Sequence, residues 1–307
     1  MAEGAAVIDA DRELYGLDDA ELLTQPTVYH PELFAGRSVL VSGGGTGIGR
    51  AIAVLYARLG ARVAICGRRA EPLAETAELI RKGLGVEIAT HAMTIRDPDQ
   101  VGALMDAVWT GHGGLDVLVN NAGGQFAQNP MDYSVNGWRA VIDTNLNGTW
   151  HMMQAAARRW RDQGRPGCII NIVVNIHRGT LQTTHSAAAR AGIVYLGRSL
   201  AVEWAPLGIR VNCVSPGAIA SNGLRNYARE AAEQFRYANP MRRAGDVWDI
   251  AEACAYLGSP AGKFITGETL AVDGGYQMLG EVWAAGEPEY FRLGRGARGR
   301  GEGADPQ

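Results

Sequence analysis

The sequence carries no marked excess of charge: 29 basic and 32 acidic side chains leave a formal net charge of -3. A near-neutral balance with a pI near 6.1 gives no reason to expect nucleic acid or an anionic membrane as a partner. Cysteine is scarce. Cys66, Cys168, Cys213 and Cys254 are widely spaced, form no CxxC pair and sit mostly inside apolar runs. That pattern argues against a metal site or a disulfide framework and for reduced thiols in a core. No apolar stretch approaches the length needed to cross a bilayer. The acidic opening, MAEGAAVIDADRELYGLDD, lacks the basic start and apolar run of a secretory signal, and the final ADPQ is not a sorting tripeptide. These absences together predict a cytoplasmic protein. The 307 residues suffice for one large α/β domain or two small ones.

What is present is a regular alternation. Short β-rich runs occur at SVLVS (38–42), RVAIC (62–66), VEIAT (86–90), DVLVN (116–120), CIINIVV (168–174), IRVNCV (209–214) and TLAVD (269–273). Helical stretches separate most of them, including 48–59, 134–161, 186–205 and 246–258. Continuous apolar strands bounded by helices indicate a seven-stranded parallel sheet covered on both faces, an α/β fold of the Rossmann, doubly wound type. No linker interrupts the series, so residues 34–276 read as a single domain. Residues 1–33 hold eight acidic side chains against Arg12 alone, and read as an arm, a short helix on the body, or a partly disordered segment. Residues 277–307 read as an extension. Its end, RLGRGARGRGEGADPQ, has almost nothing to bury and is expected to be disordered.

Between the first strand and the first helix lies VLVSGGGTGIGRAIA, with glycines at 43, 47 and 49. Glycines there permit a tight turn and close backbone approach, and the helix N-terminus offers free N–H groups and a positive dipole end to a pyrophosphate. A lone glycine motif is weak; one placed between strand and helix is a nucleotide-binding signal. We expect Ser42, Gly43, Gly45, Thr46, Gly47 and Ile48 to hold the cofactor. After the second strand, CGRRAEP has no carboxylate for the ribose hydroxyls and offers Arg68 and Arg69 instead. Two guanidinium groups suit a 2′-phosphate, so the expected cofactor is NADP(H).

The spacing SGxxxGxG, with NNAGG (120–124), SPGAI (215–219) and ITGETLAVDGG (265–275), resembles the short-chain dehydrogenase/reductase family over residues 34–276. The resemblance implies that Asn121, Ala122 and Gly123 lie along the adenosine side of the cofactor. It places Pro216, Gly217 and Ile219 along the nicotinamide, with Thr94 and Ile95 beside the adenine. It also implies a homo-oligomer, a tetramer or dimer built on the helices at 134–161 and 186–205.

The family's catalytic group is an asparagine, a serine, a tyrosine and a lysine. Asn145 in DTNLNGTW matches the first. The other positions fall on Val173, Ser186 and Arg190. Reduction of a carbonyl needs a proton for its oxygen as the hydride arrives, and a serine hydroxyl is far too weak an acid for that. Reduction of a carbon–carbon double bond conjugated to a thioester is different: the enolate oxygen requires hydrogen-bond donors rather than a proton. Ser186 can donate one bond. Arg190, four residues on, shares its helical face and can take the lysine's other duty of holding the nicotinamide ribose.

NNAGGQF, NIVV, HSAAARAG and SLAVEWA resemble the branch containing peroxisomal trans-2-enoyl-CoA reductase and the 2,4-dienoyl-CoA reductases. The resemblance implies that mitochondrial dienoyl-CoA reductases carry a substitute tyrosine at the position of Asn175, and peroxisomal dienoyl-CoA reductases an aspartate at that of Asn145. Neither is present, so no proton donor transfers. His177 and His185 flank the site in sequence and are either donors or structural. Gln125, Phe126 and Tyr227 are candidate substrate contacts, with Phe235 and Tyr237 in the same lid segment. Arg225, Arg229, Arg242 and Arg243 are candidates for coenzyme A phosphates or a wet helix face. The expected function is NADPH-dependent reduction of a 2-enoyl-CoA or 2,4-dienoyl-CoA. The alternatives are a carbonyl reductase or 3-hydroxyacyl dehydrogenase with an unusual donor, and an NADP(H)-binding pseudoenzyme or scaffold.

Overall fold

A computed structural model of the chain describes residues 14–226, 229–235, 238–280, 283–288 and 291. The strands β1 (Ser38–Ser42), β2 (Arg62–Gly67), β3 (Ala89–Ala92), β4 (Val117–Asn120), β5 (Gly167–Ile172), β6 (Ile209–Pro216) and β9 (Thr269–Val272) form one parallel sheet. Their order is β3-β2-β1-β4-β5-β6-β9, the seven-stranded doubly wound sheet that the apolar runs predict. Two short strands, β7 (Ile219–Ala220) and β8 (Gly245–Asp246), pair separately. The third main strand begins three residues later than VEIAT suggests. It is an edge strand whose position is set by pairing, Ala64 to Ala89 through Gly67 to Ala92, and Val86 stays exposed before it.

Alternate residues of each strand enter opposite cores. Val39 and Val41 join the layer made by α2 (Gly47–Arg58), α3 (Ala70–Leu84) and α9 (Val247–Gly258). Leu40 joins the layer made by α4 (Pro98–His112), α6 (Thr149–Asp162) and α7 (Thr184–Trp204). In the first layer the Tyr56 hydroxyl donates to the Cys254 carbonyl at 2.8 Å. In the second, Trp160 is fully buried and its indole N–H donates to the Leu115 carbonyl at 2.6 Å. All four cysteines are buried free thiols; burial pushes Cys66 and Cys213 up to about 12 and Cys168 to about 11. No helix among the described residues is long and apolar enough to cross a membrane.

The acidic N-terminal segment includes a short helix, α1 (Asp19–Thr24), opened by an Asp18–Glu21 capping box. Leu23 lies in the space that a side chain at Gly83 of α3 would fill. Trp248 donates to the Pro26 carbonyl at 3.1 Å, and Arg50 pairs with Asp19 at 2.8 Å and with Glu75 at 3.0 Å. From Leu14 onward this segment packs on the body. The Gly/Arg-rich end beyond residue 291 lies outside the described residues.

The helical run expected over 134–161 contains an interruption. It is α5 (Val135–Ile142), one π-helical stretch (Asp143–Gly148) and α6. A π turn leaves carbonyls without their usual i+4 donors. Here the Thr144 hydroxyl takes the Ala140 carbonyl at 2.8 Å and the Thr149 hydroxyl takes that of Asn145 at 3.0 Å.

Gly167 sits where an added Cβ would come within 2.3 Å of the Trp160 ring. The ring is closed in on all sides, so Gly167→Ala is expected to cost about 2–3 kcal/mol through overpacking. Urea unfolding measures this; a loss under about 0.5 kcal/mol would contradict the packing described.

Candidate active site

Strand order reverses between β1 and β4, and their carboxyl ends open a crevice there. The two ends are stitched together. Ser42 Oγ accepts the backbone N–H groups of Asn121 (3.1 Å) and Ala122 (3.0 Å), and the Asn121 side chain donates to the Ser42 and Gly43 carbonyls, both at 3.1 Å. The cavity in the crevice measures about 620 Å³, within the range of small-molecule sites. Gly43, Gly45, Thr46, Gly47, Ile48, Arg68, Arg69, Thr94, Ile95, Asn121, Ala122 and Gly123 all line it, as do Gln125 and Phe126.

The cradle fits a dinucleotide. Gly47 has φ +53° and open space where a Cβ would stand, whereas a Cβ on Gly49 would meet the Gly43 carbonyl oxygen at 2.1 Å. Thr46 makes no side-chain cap on α2, so the first N–H groups of that helix stay open to an anion. Arg50, which the sequence reading passes over, fixes the turn from behind by donating to the Gly45 carbonyl at 3.2 Å. Arg68 and Arg69 are exposed on the lining and have no ion-pair partner among the described residues. Arg96, also unforeseen, lines the cavity and donates to Thr144 at 2.6 Å, tying the loop after β3 to the π stretch.

Asn145, Ser186 and Arg190 converge behind the wall formed by Gly123 and Gly124, Ser186 and Arg190 on the one helical face that their spacing predicts. Asn145 is fully buried in the π stretch; its carbonyl oxygen accepts Gly124 N–H and its amide donates to the Gly124 carbonyl, both at 2.9 Å. The same amide donates to Ser186 Oγ at 3.2 Å. The serine hydrogen is therefore left to donate elsewhere. Val173 is buried in the core, so the serine position of the family supplies no polar group.

Arg190 is only 7% exposed. One guanidinium nitrogen donates to the Ile172 carbonyl, and another lies where a side chain on Gly123 would stand. No carboxylate pairs with it among the described residues, and burial pulls it down to about 10. Its remaining N–H groups make no bond among the described residues.

Other expected contacts are redistributed. Gly217 packs on Asp273 and bonds the Val272 carbonyl at 3.0 Å, and Pro216 ends β6. Ile219 lines a second cavity, of about 460 Å³, rather than the first. Each lid arginine has a partner within the protein. Arg225 stacks on Tyr15 at 3.9 Å, Arg229 pairs with Glu233, Arg242 with Glu287 and Arg243 with Asp249. Tyr227 and Tyr237 lie outside the described residues. Tyr195 points outward and is exposed, and His177 is exposed too, with its backbone N–H on Asn175. Asn175 itself donates to Asp273 at 3.2 Å.

A tyrosine that the spacing did not reveal stands near Ser186. Tyr133, 53 positions before Ser186 in the chain, stacks on His185, but its hydroxyl is engaged. It donates to the Gln182 carbonyl at 2.9 Å and accepts Thr184 N–H at 3.2 Å. Only folding brings these residues together.

The family model described as enoyl-(acyl carrier protein) reductase matches residues 43–277. The chain is 37% identical over 244 residues to a probable 2,4-dienoyl-CoA reductase [(2E)-enoyl-CoA-producing] of Bacillus subtilis, covering 78% of this chain and 96% of that one. It is 34% identical over 256 residues to the peroxisomal 2,4-dienoyl-CoA reductase [(3E)-enoyl-CoA-producing] of Rattus norvegicus, covering 82% and 87%. A crystal structure of a short chain dehydrogenase from Bacillus anthracis superposes with a TM-score of 0.75 at 36% identity, covering 80% of this chain and 98% of that one.

A buried, unpaired guanidinium is a burden on the fold. Arg190→Met removes that charge and keeps most of the volume. It is expected to leave the melting temperature unchanged or raise it by a few degrees. A fall of more than about 5 °C would show that the bond to Ile172 outweighs the cost of burial.

Proposed function

Because this chain belongs to the short-chain dehydrogenase/reductase family, we propose that it is an NADPH-dependent reductase of the conjugated double bond in an acyl thioester, a 2-enoyl-CoA or a 2,4-dienoyl-CoA. The observation that carries the reading is the state of Ser186: its hydroxyl accepts the Asn145 amide and keeps a hydrogen to donate, with no free tyrosine acid beside it among the described residues. Such a site can stabilise an oxyanion but is poorly suited to protonate one. Conjugate reduction asks for stabilisation alone, because the proton ends on carbon.

NADPH, when bound, supplies the hydride. The open N–H groups at the start of α2 suit its pyrophosphate, and Arg68 and Arg69 suit a 2′-phosphate where a carboxylate would repel it. Arg190 has N–H groups left over for the nicotinamide ribose. The Ser186 hydroxyl donates to the thioester oxygen as negative charge gathers there, and water protonates carbon. With a dienoyl thioester the charge spreads over the diene. Protonation at the α-carbon then gives a 3-enoyl product and at the γ-carbon a 2-enoyl product, the two outcomes that the relatives' names record.

Exposed apolar side chains on α5 and α7, Val135, Trp138, Tyr195 and Val202, support self-association through those helices.

Oxidation of NADPH and NADH by the purified protein tests the reading with trans-2-enoyl-CoA, 2,4-dienoyl-CoA and 3-ketoacyl-CoA. We expect turnover of a conjugated thioester, no turnover of the ketone, and a preference for NADPH of about tenfold or more. Turnover of the 3-ketoacyl-CoA alone contradicts it, and binding of NADPH with no turnover of any thioester favours a scaffold.

A further inference from the structure

His185 stands in the first turn of α7, immediately before Ser186, and it is fully buried. Its Nδ1 accepts the Ser186 backbone N–H at 2.8 Å, a hydrogen shared with the Thr183 carbonyl at 3.0 Å, and an accepting Nδ1 assigns the ring hydrogen to Nε2. That buried nitrogen has no hydrogen-bond partner among the described residues. Buried donors are nearly always satisfied, and one left open calls for an acceptor that arrives later.

The two rings enclosing the imidazole differ in how firmly they are held. Tyr133 stacks on it at 4.5 Å and 15°, and is pinned by its bonds to Gln182 and Thr184. Gln182 holds its place at φ +60°, left-handed backbone that glutamine seldom adopts. Phe126 packs edge-on at 4.4 Å and 87°. It is 37% exposed and lies on the rim of the cofactor cavity, two residues beyond Gly124. Its hydroxyl-free ring makes no bond that would fix it. One wall is fastened by hydrogen bonds, the other held by ring contacts alone, with His185 and with Tyr133 at 5.6 Å.

We propose that His185 is a further catalytic residue: with the Phe126 ring turned aside, its Nε2–H donates to the thioester oxygen beside the Ser186 hydroxyl. No proton leaves the ring while the enolate forms and collapses. The N-terminal end of α7 adds its positive dipole to the same oxygen. The assignment rests on the conjugate-reduction reading, since an enolate oxygen is what calls for a second donor.

The test compares full-length wild type, His185→Phe and His185→Gln in reduction of trans-2-enoyl-CoA and 2,4-dienoyl-CoA by NADPH. Phenylalanine keeps the ring and removes the donor; glutamine restores an N–H near the Nε2 position. His185→Phe is expected to lower kcat about 100-fold with NADPH affinity and melting temperature close to wild type, and His185→Gln to recover at least about a tenth of wild-type kcat. A His185→Phe variant keeping more than about a third of kcat overturns the assignment, as does a glutamine variant no better than it. Should wild type reduce neither thioester, the functional reading fails separately, and the ring is then read directly. In protein carrying 15N-labelled histidine, NADP+ with a saturated acyl-CoA must shift the His185 Nε2 resonance. The same spectrum decides the matter if His185→Phe folds poorly, and an unmoved resonance overturns the proposal.

Discussion

The site depends on the stitch between β1 and β4. Where strand order reverses, Ser42 Oγ and the Asn121 side chain make four hydrogen bonds that hold two strand ends together. That joint aims the backbone of Gly123 and Gly124 across the crevice. Gly124 is then clamped at both its N–H and its carbonyl by Asn145, and the same asparagine reaches Ser186. A single chain of bonds therefore runs from the glycine-rich cradle to Ser186. Moving either strand end would displace both cofactor and chemistry.

Two local costs are borne at this site. The π stretch around Asn145 gives up regular helical bonding and needs hydroxyls from Thr144 and Thr149 to occupy stray carbonyls. In return Asn145 faces the Gly124 backbone from within a helix. Arg190 is held nearly dry with only a backbone carbonyl for company, which burial alone disfavours. Such features gather where a fold must present groups rather than merely bury them.

Much of the architecture was legible because it is written in local patterns. The apolar runs and the glycines at 43, 47 and 49 set out the sheet and cradle, and the four-residue spacing put Ser186 and Arg190 on one face. The beginning of β3 was not legible, since register with β2 fixes it rather than the apolarity of VEIAT. Nor was the π stretch, because DTNLNG has no period that distinguishes it from helix. Tyr133 escaped notice for a different reason. Its contact with His185 spans some fifty residues of chain and exists only once two loops are folded together. The partners of the lid arginines were not legible either, because sequence shows charge but not what pairs with it, as Glu287 does with Arg242.

In the proposed reaction hydride goes to carbon conjugated with a thioester while the oxygen is only hydrogen-bonded. The most direct measurement follows deuterium from [4-2H]NADPH into the product of a 2-enoyl- or 2,4-dienoyl-CoA, by mass spectrometry and NMR. The account predicts one deuterium on a carbon of the former double bond or diene and an intact thioester. Deuterium on a carbinol carbon, formed from a 3-ketoacyl-CoA in preference to either conjugated substrate, would contradict it.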